Sequence, residues 1–374
     1  MGIFDIFKKE EKKVFETTQE EAEYLLSNAD KNKIESNSFS VYLNDMTKLN
    51  NHFQEFSNLF QNVDGKSFYK LNGLSNYKSI IDYWNDPKNK IKYLKKLGFN
   101  PATIMMTIVL FEIEKQIIEI KEISQDILNF LENDKESEIE ADVKTLCNII
   151  EEYKYNWQDD QYIHNNHKYV MDIERTALKN IKFYIKQIKD ETSKNSLLMT
   201  NKTIETNQNK IEHDFTYYRL SLYIYSFATF LEVMLLENFN KDFLLLKKKE
   251  LDNLTNEYIN GYENAFKYIQ KNADKSLQGN IISGIGSAGK VIGNLAEKVQ
   301  IVKNAKIDTW FNKNGDNLKN ISKERKEKLS HKFEEMGNPH TSTFIDKIEL
   351  ISKLYNDTKD IYFDKEKIYL EMIK

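Results

Sequence analysis

Proline is nearly missing from this chain: three occur in 374 residues, Pro87, Pro101 and Pro339, and none lies between the last two. Proline is the commonest helix breaker, so its absence over that stretch favours long uninterrupted helices. Cysteine is scarcer still. The lone Cys147 excludes an intramolecular disulfide framework and a cysteine-rich zinc site, and it fits a reducing cytoplasm. Its setting, ADVKTLCNII, reads as an amphipathic helix that keeps the thiol structural. Only three of the 54 basic residues are arginines, Arg175, Arg219 and Arg325, and arginine is the residue favoured for bidentate phosphate recognition. With 58 acidic residues the net charge is −4, so nucleic acid is not a favoured partner for the chain as a whole. The surplus of Lys, Asn and Ile is the codon bias of an AT-rich genome, and a bacterial source is expected. The opening MGIFDIFKKEEKK has no apolar core of useful length, so no secretory leader is expected there. Ile6 stands where myristoylation wants Ser or Thr.

What the chain does have is helical periodicity. Val109, Ile113, Ile117, Ile120, Ile127 and Leu131 step along one face of a helix of about thirty residues. Val170, Ile173, Ala177, Ile181, Tyr184 and Ile188 form a second stripe. The most apolar run, LSLYIYSFATFLEVMLL at 220–236, contains Glu232, whose charge is costly in lipid, so a central bundle helix is expected rather than a membrane span. Phe239 and Phe243 extend its spacing toward LLLKKKE, which predicts one continuous helix through that point. Near the C-terminus, Thr343 and Asp346 have the spacing of a capping box ahead of Ile345, Ile348 and Ile351. IYFDKEKIYLEMI is compatible with a small hairpin or a last helix.

The expected fold is therefore all-α in the main: a long-helix antiparallel bundle with smaller N- and C-terminal helical regions and room for a minor β hairpin. Composition divides the chain into an amphipathic tail (1–14), a small mixed or short-helix module (15–100), the long-helix bundle (101–275) and a C-terminal helical region with the glycine-rich amphipathic helix (276–374).

Glycine is the exception to the general sparseness. Five of the twelve lie between 279 and 293, around GIGSAGKV at 284–291. G-x-x-x-x-G-K is most of a phosphate-binding loop, but Val291 replaces the hydroxyl that would bind magnesium, and the polar residues before it read as no buried strand. No nucleotide or other cofactor is expected. Ile281, Ile285, Ala288, Ile292, Leu295, Val299 and Val302 instead alternate steps of four and three, a coiled-coil-like heptad seam. Gly279, Gly286 and Gly293 fall seven apart beside it, and Gly289 with Gly293 makes G-x-x-x-G. Four helical glycines cost on the order of 2–4 kcal/mol relative to alanine, which close approach of another surface must offset. Trp310 and Phe311 follow, within a stretch (303–332) holding nine basic and four acidic residues. An apolar helix, aromatic anchors and a cationic stretch in that order suit an anionic membrane or a partner helix, in the same chain or in a second copy. The expected contact residues are Ile281, Ile285, Gly286, Gly289, Ile292, Gly293, Leu295, Trp310 and Phe311. The expected role is non-enzymatic, at or in a membrane surface, with the protein cytoplasmic and peripheral at the inner face. A soluble helical scaffold is the alternative.

Two chemical constellations stand beside that reading. Arg325 and His331 frame RKEKLSH, which resembles the R-x4–6-H signature of the HEPN family of helical ribonucleases. The resemblance implies His331 as a general base on a ribose hydroxyl and Arg325 as the partner of the phosphate charge. It covers seven residues and departs from the family's polar residue after the arginine, having Lys326 there. Asp160, His164 and His167 lie at i, i+4 and i+7, one helical face with metal-capable side chains, but no second Glu-x-x-His motif accompanies them.

Overall fold

The computed structural model describes residues 22–25, 28–49, 68–71, 101–128, 136–194, 201–271, 336–364 and 366–372. In chain order these form β1 (Ala22–Leu25), α1 (Asn28–Asn37), β2 (Ser38–Tyr42), α2 (Leu43–Leu49), β3 (Phe68–Leu71), α3 (Pro101–Leu128), α4 (Glu136–Asn156), α5 (Asp160–Thr192), α6 (Asn201–Leu236), α7 (Lys241–Lys271), α8 (Ser342–Asn356), β4 (Thr358–Phe363) and β5 (Lys367–Met372). The protein is mainly α, as the periodicity predicts. All six members of the α5 stripe are buried, as are Val109, Ile113 and Ile120 of the α3 stripe, with Ile117 half-buried; the Ile127 side chain and Leu131 lie outside the described residues.

The helix α6 is the axis of the body. Its 209–236 portion is long and apolar enough to cross a membrane, yet 89% of its most apolar window is buried within the protein. It packs most extensively on α5 and also touches α4, α7 and α8. Residue pairs give the directions. Asn207 meets Glu191, Tyr217 stacks on Tyr184 and Thr229 meets Glu174, so α5 and α6 run antiparallel. Phe215 against Tyr262 and Glu232 against Lys247 show the same for α6 and α7. A helix covered on several sides has no solvent-facing side, so every residue of α6 from Leu220 to Leu235 is buried or half-buried, and polar side chains there such as Thr229 and Glu232 are partnered inside the body.

The chain does not continue helically past Leu236 as the apolar spacing predicts. Glu237 adopts a left-handed φ of 48°, and Asn238–Asn240 form a turn. Asn240 then caps α7, its Oδ1 accepting from the Asp242 N–H at 2.9 Å and the Phe243 N–H at 3.4 Å. Phe239 turns inward against Tyr355, with ring centroids 5.1 Å apart.

At the C-terminus the hairpin alternative is the one formed. β4 and β5 pair antiparallel, and their turn is tied by Asp364, whose Oδ1 accepts the N–H groups of Glu366 and Lys367, both at 2.7 Å, while Oδ2 accepts the Tyr369 hydroxyl at 3.0 Å. The hairpin forms the middle of a five-stranded sheet ordered β1-β3-β4-β5-β2, with every pairing antiparallel. Segments from both ends of the chain thus share one sheet: Phe39 pairs with Leu370 and Tyr69 with Phe363. The capping-box reading at Thr343 also needs correction. α8 begins at Ser342 with Thr341 in the cap position, and the Thr341 hydroxyl makes no cap bond but accepts from Thr255 Oγ1 at 2.9 Å. Phe344 of α8 is fully buried, stacked on Phe227 at 4.9 Å and tilted against Tyr223 at 5.3 Å.

Candidate functional site

Of the residues singled out in the sequence, Asp160, His164 and His167 fall within the described structure, on the first turns of α5. Asp159 starts that helix, its Oδ1 accepting from the Gln161 and Tyr162 N–H groups at 2.9 and 3.1 Å. Asp160 and His164 are exposed and His167 is half-buried. Among the described residues no three His, Cys, Asp or Glu side chains come together as a metal would require. Arg325 and His331 lie outside the described residues, as do Ile281, Ile285, Gly286, Gly289, Ile292, Gly293, Leu295, Trp310 and Phe311. The tail 1–14 does too. Cys147 is half-buried on α4, its Sγ 3.9 Å from Ser124 Oγ, and burial pushes its thiol pKa up, away from nucleophilic reactivity.

The structure's densest charged site is one the periodicity did not assemble. It lies where α5, α6 and α7 meet. Lys247 pairs with Glu232 of α6 and sits 3.7 Å from Glu174 of α5, with all three side chains only 13–15% exposed. Thr229 Oγ1 donates to Glu174 Oε1 at 2.8 Å, and the Tyr225 hydroxyl donates to Glu250 Oε1 at 2.5 Å. Burial acts against both signs of charge here. It pushes the Glu174 carboxyl above its ordinary pKa, with Glu232 adding to the effect against the pull of Lys247. It opposes the Lys247 ammonium as well, but Glu232, Glu174 and Glu250 outweigh it and hold Lys247 above its usual value. The result is a lysine fixed in its charged form at the junction of three helices. Such a joint sets helix register, because shifting any of the three strands a charge out of water.

A second joint closes the other end of the α5–α6 pair. Glu191 is buried and accepts from Lys194 and Lys210. Its pKa is held below the ordinary carboxylate value, the two lysines overcoming the cost of burial. Asn207 Nδ2 bridges from the Glu191 carbonyl at 3.2 Å to the Tyr268 hydroxyl at 3.0 Å, so α7 is tied in as well. Along the same body, buried Arg219 donates from Nε to the Asn338 carbonyl at 2.9 Å and the Tyr258 hydroxyl donates to the Met336 carbonyl. The 336–340 corner is thereby fixed on α6 and α7.

Glu232 is the one sequence signal that pointed to the first joint: a carboxylate inside an apolar helix requires a cation or a proton. Its partner lies fifteen positions on, in the Lys-rich start of α7. No family model, no curated protein and no solved structure matches this chain.

Proposed function

We propose that this protein acts without catalysis at an anionic membrane surface, through the glycine-rich seam 279–302 and the cationic stretch 303–332. The observation that carries this reading is the order of features in the sequence: a heptad apolar seam, glycines at seven-residue intervals, the adjacent Trp310 and Phe311, then an excess of five positive charges. Among the described residues, the helix with the length and composition of a membrane span is buried in the core, and in this reading the membrane contact is made by the seam instead. In this reading the protein is cytoplasmic and peripheral at the inner face of the membrane.

Flotation with vesicles containing phosphatidylserine tests the proposal. The protein is expected to float with anionic vesicles and to stay below with neutral ones, and substitution of Gly286 and Gly293 by Leu is expected to change the partition. A protein that remains at the bottom of the gradient in every form ends the membrane reading. The four-three spacing of Ile281, Ile285, Ala288 and Ile292 favours one other role, a scaffold whose seam pairs with a helix of a second copy. Sedimentation velocity distinguishes the two, since a monomer at micromolar concentration that also floats excludes the scaffold. Cleavage of RNA, lost on His331→Ala, would instead favour the ribonuclease resemblance.

A further inference from the structure

The outward face of α5 differs from those of α3 and α7. Lys168, Arg175, Lys179, Lys182, Lys186 and Lys189 are all exposed and follow one another at steps of seven, four, three, four and three. At 3.6 residues per turn they fall within an arc of about 80°, opposite the buried row Val170, Ile173, Ala177, Ile181, Tyr184 and Ile188. They make one straight cationic ridge about 32 Å long, at about 1.5 Å per residue. Exposed acids near it are few. Asp172 pairs with Arg175 at 3.1 Å and Asp190 lies at the ridge's end, while Lys189 reaches Glu257 of α7 at 3.3 Å. These pairs are open to solvent and weak. The exposed faces of α3 and α7 mix signs, with Glu114, Lys115, Glu119 and Lys121 on the first and Lys241, Asp242, Lys249 and Glu257 on the second. At the margins of the α5 ridge stand Met171 and Phe183, 48% and 47% exposed.

We propose that this ridge is a docking face for an anionic lipid bilayer, with α5 lying parallel to the membrane plane. Charge complementarity supplies the attraction, at about fivefold in partition for each lysine brought to an anionic surface. The shape selects the occupant. A straight row on the exposed face of one helix meets a plane along its whole length, whereas the phosphates of a duplex curve away from it. Met171 and Phe183 flank the row where the interfacial layer takes up apolar side chains, and phosphates offer them nothing. The ridge lies within the described helical body, so it adds a second contact to that proposed for 279–332 and rests on the membrane reading only for its occupant.

The test compares four full-length proteins on vesicles of phosphatidylcholine with about 30% phosphatidylserine. These are the natural chain; a ridge variant, Lys179→Glu with Lys182→Glu and Lys186→Glu; an off-ridge variant, Lys33→Glu with Lys249→Glu and Lys359→Glu, carrying the same charge change on α1, α7 and β4; and a segment variant, Lys319→Glu with Lys323→Glu and Lys326→Glu. The ridge variant is expected to lose about a hundredfold in partition while the off-ridge variant stays within about threefold of the natural chain. Unchanged thermal unfolding of the ridge variant shows that these exposed positions leave the body intact. Partition of the ridge variant equal to that of the natural chain overturns the inference. If the segment variant alone then fails to float, the membrane reading survives without the ridge. A natural chain that ignores the vesicles but binds a mixed-sequence nucleic acid duplex, and loses it in the ridge variant, overturns the lipid occupant.

Discussion

Replacing Lys247 by Met keeps most of the side chain's length and removes its charge. In the native body Lys247 is 13% exposed and lies between Glu232, with which it bonds, and Glu174 at 3.7 Å. Two carboxylates at about 4 Å are each worth about 4 kcal/mol to the ammonium at an effective dielectric of about 20, offset by the desolvation of all three groups. Removing one partner of a buried pair typically costs about 3–5 kcal/mol, because the stranded charge keeps its desolvation penalty. That is a large share of a total stability of about 5–15 kcal/mol. The sign of the pH effect follows from the carboxyls. Glu174 is already raised in the folded protein, so the folded state favours its protonated form, and stability from that proton is present at low pH and lost as pH rises through the folded value. Without Lys247 the Glu174 carboxyl rises further, so the variant's deficit should be greatest at pH 8 and shrink toward pH 5, by up to about 1.4 kcal/mol per unit for the proton it takes up. Urea unfolding of both proteins at several pH values measures this directly. Adding Glu232→Gln to Lys247→Met should recover at least about 1 kcal/mol, since one of the two stranded carboxylates is gone. A loss below about 1 kcal/mol that is flat between pH 5 and 8 would refute the argument that this lysine is held charged by the carboxylates around it.

Three further outcomes follow from single sites. Phe344→Ala removes a fully buried ring stacked on Phe227 and tilted against Tyr223, and a loss of about 3–5 kcal/mol in denaturant unfolding is expected; a loss under about 1.5 would show that α8 is not locked into the core. Asp364→Ala removes the acceptor of two turn N–H groups and of one of the Tyr369 hydroxyl's bonds, so the β4–β5 hairpin should lose about 2–3 kcal/mol, seen as faster amide exchange at Leu370, whereas unchanged exchange there would count against the turn. Asp142 is half-buried beside Glu138 and its carboxyl is pushed up to about 6, first by burial and then by that neighbour, so the folded state pays for its ionisation above that pH and not below about 4. Asp142→Asn should therefore raise the melting temperature at pH 8 by an amount equivalent to about 1 kcal/mol, solvent screening having cut the full shift, and leave it unchanged at pH 4; equal melting temperatures at pH 8 would contradict the shift.

What the sequence disclosed and what it concealed divide by the distance to the partner. The α5 stripe was legible to the residue, because burial of Val170 through Ile188 repeats every turn and needs no knowledge of what covers it. The end of α6 was not, because Phe239 and Phe243 keep the apolar spacing across a turn made by Glu237, Asn238 and Asn240; the two asparagines were the local sign of a break, and the buried Phe239 masked it by packing on Tyr355 from the turn itself. The sheet was harder still. β4–β5 showed as an ambiguous run, but the pairing of Phe39 with Leu370 joins positions more than three hundred residues apart, and no periodicity carries such a pairing. Thr343 has the look of a cap for a related reason: the spacing to Asp346 is local, while the hydroxyl bond that distinguishes Thr341 comes from Thr255 on another helix. Glu232 shows the same rule in its sharpest form. A carboxylate in the most apolar run of the chain requires a cation beside it in space, and the sequence states that requirement without saying which helix meets it. Lys247 meets it only because the turn at 237–240 reverses the chain, so the helix boundary that periodicity missed is the same feature that forms the charged joint.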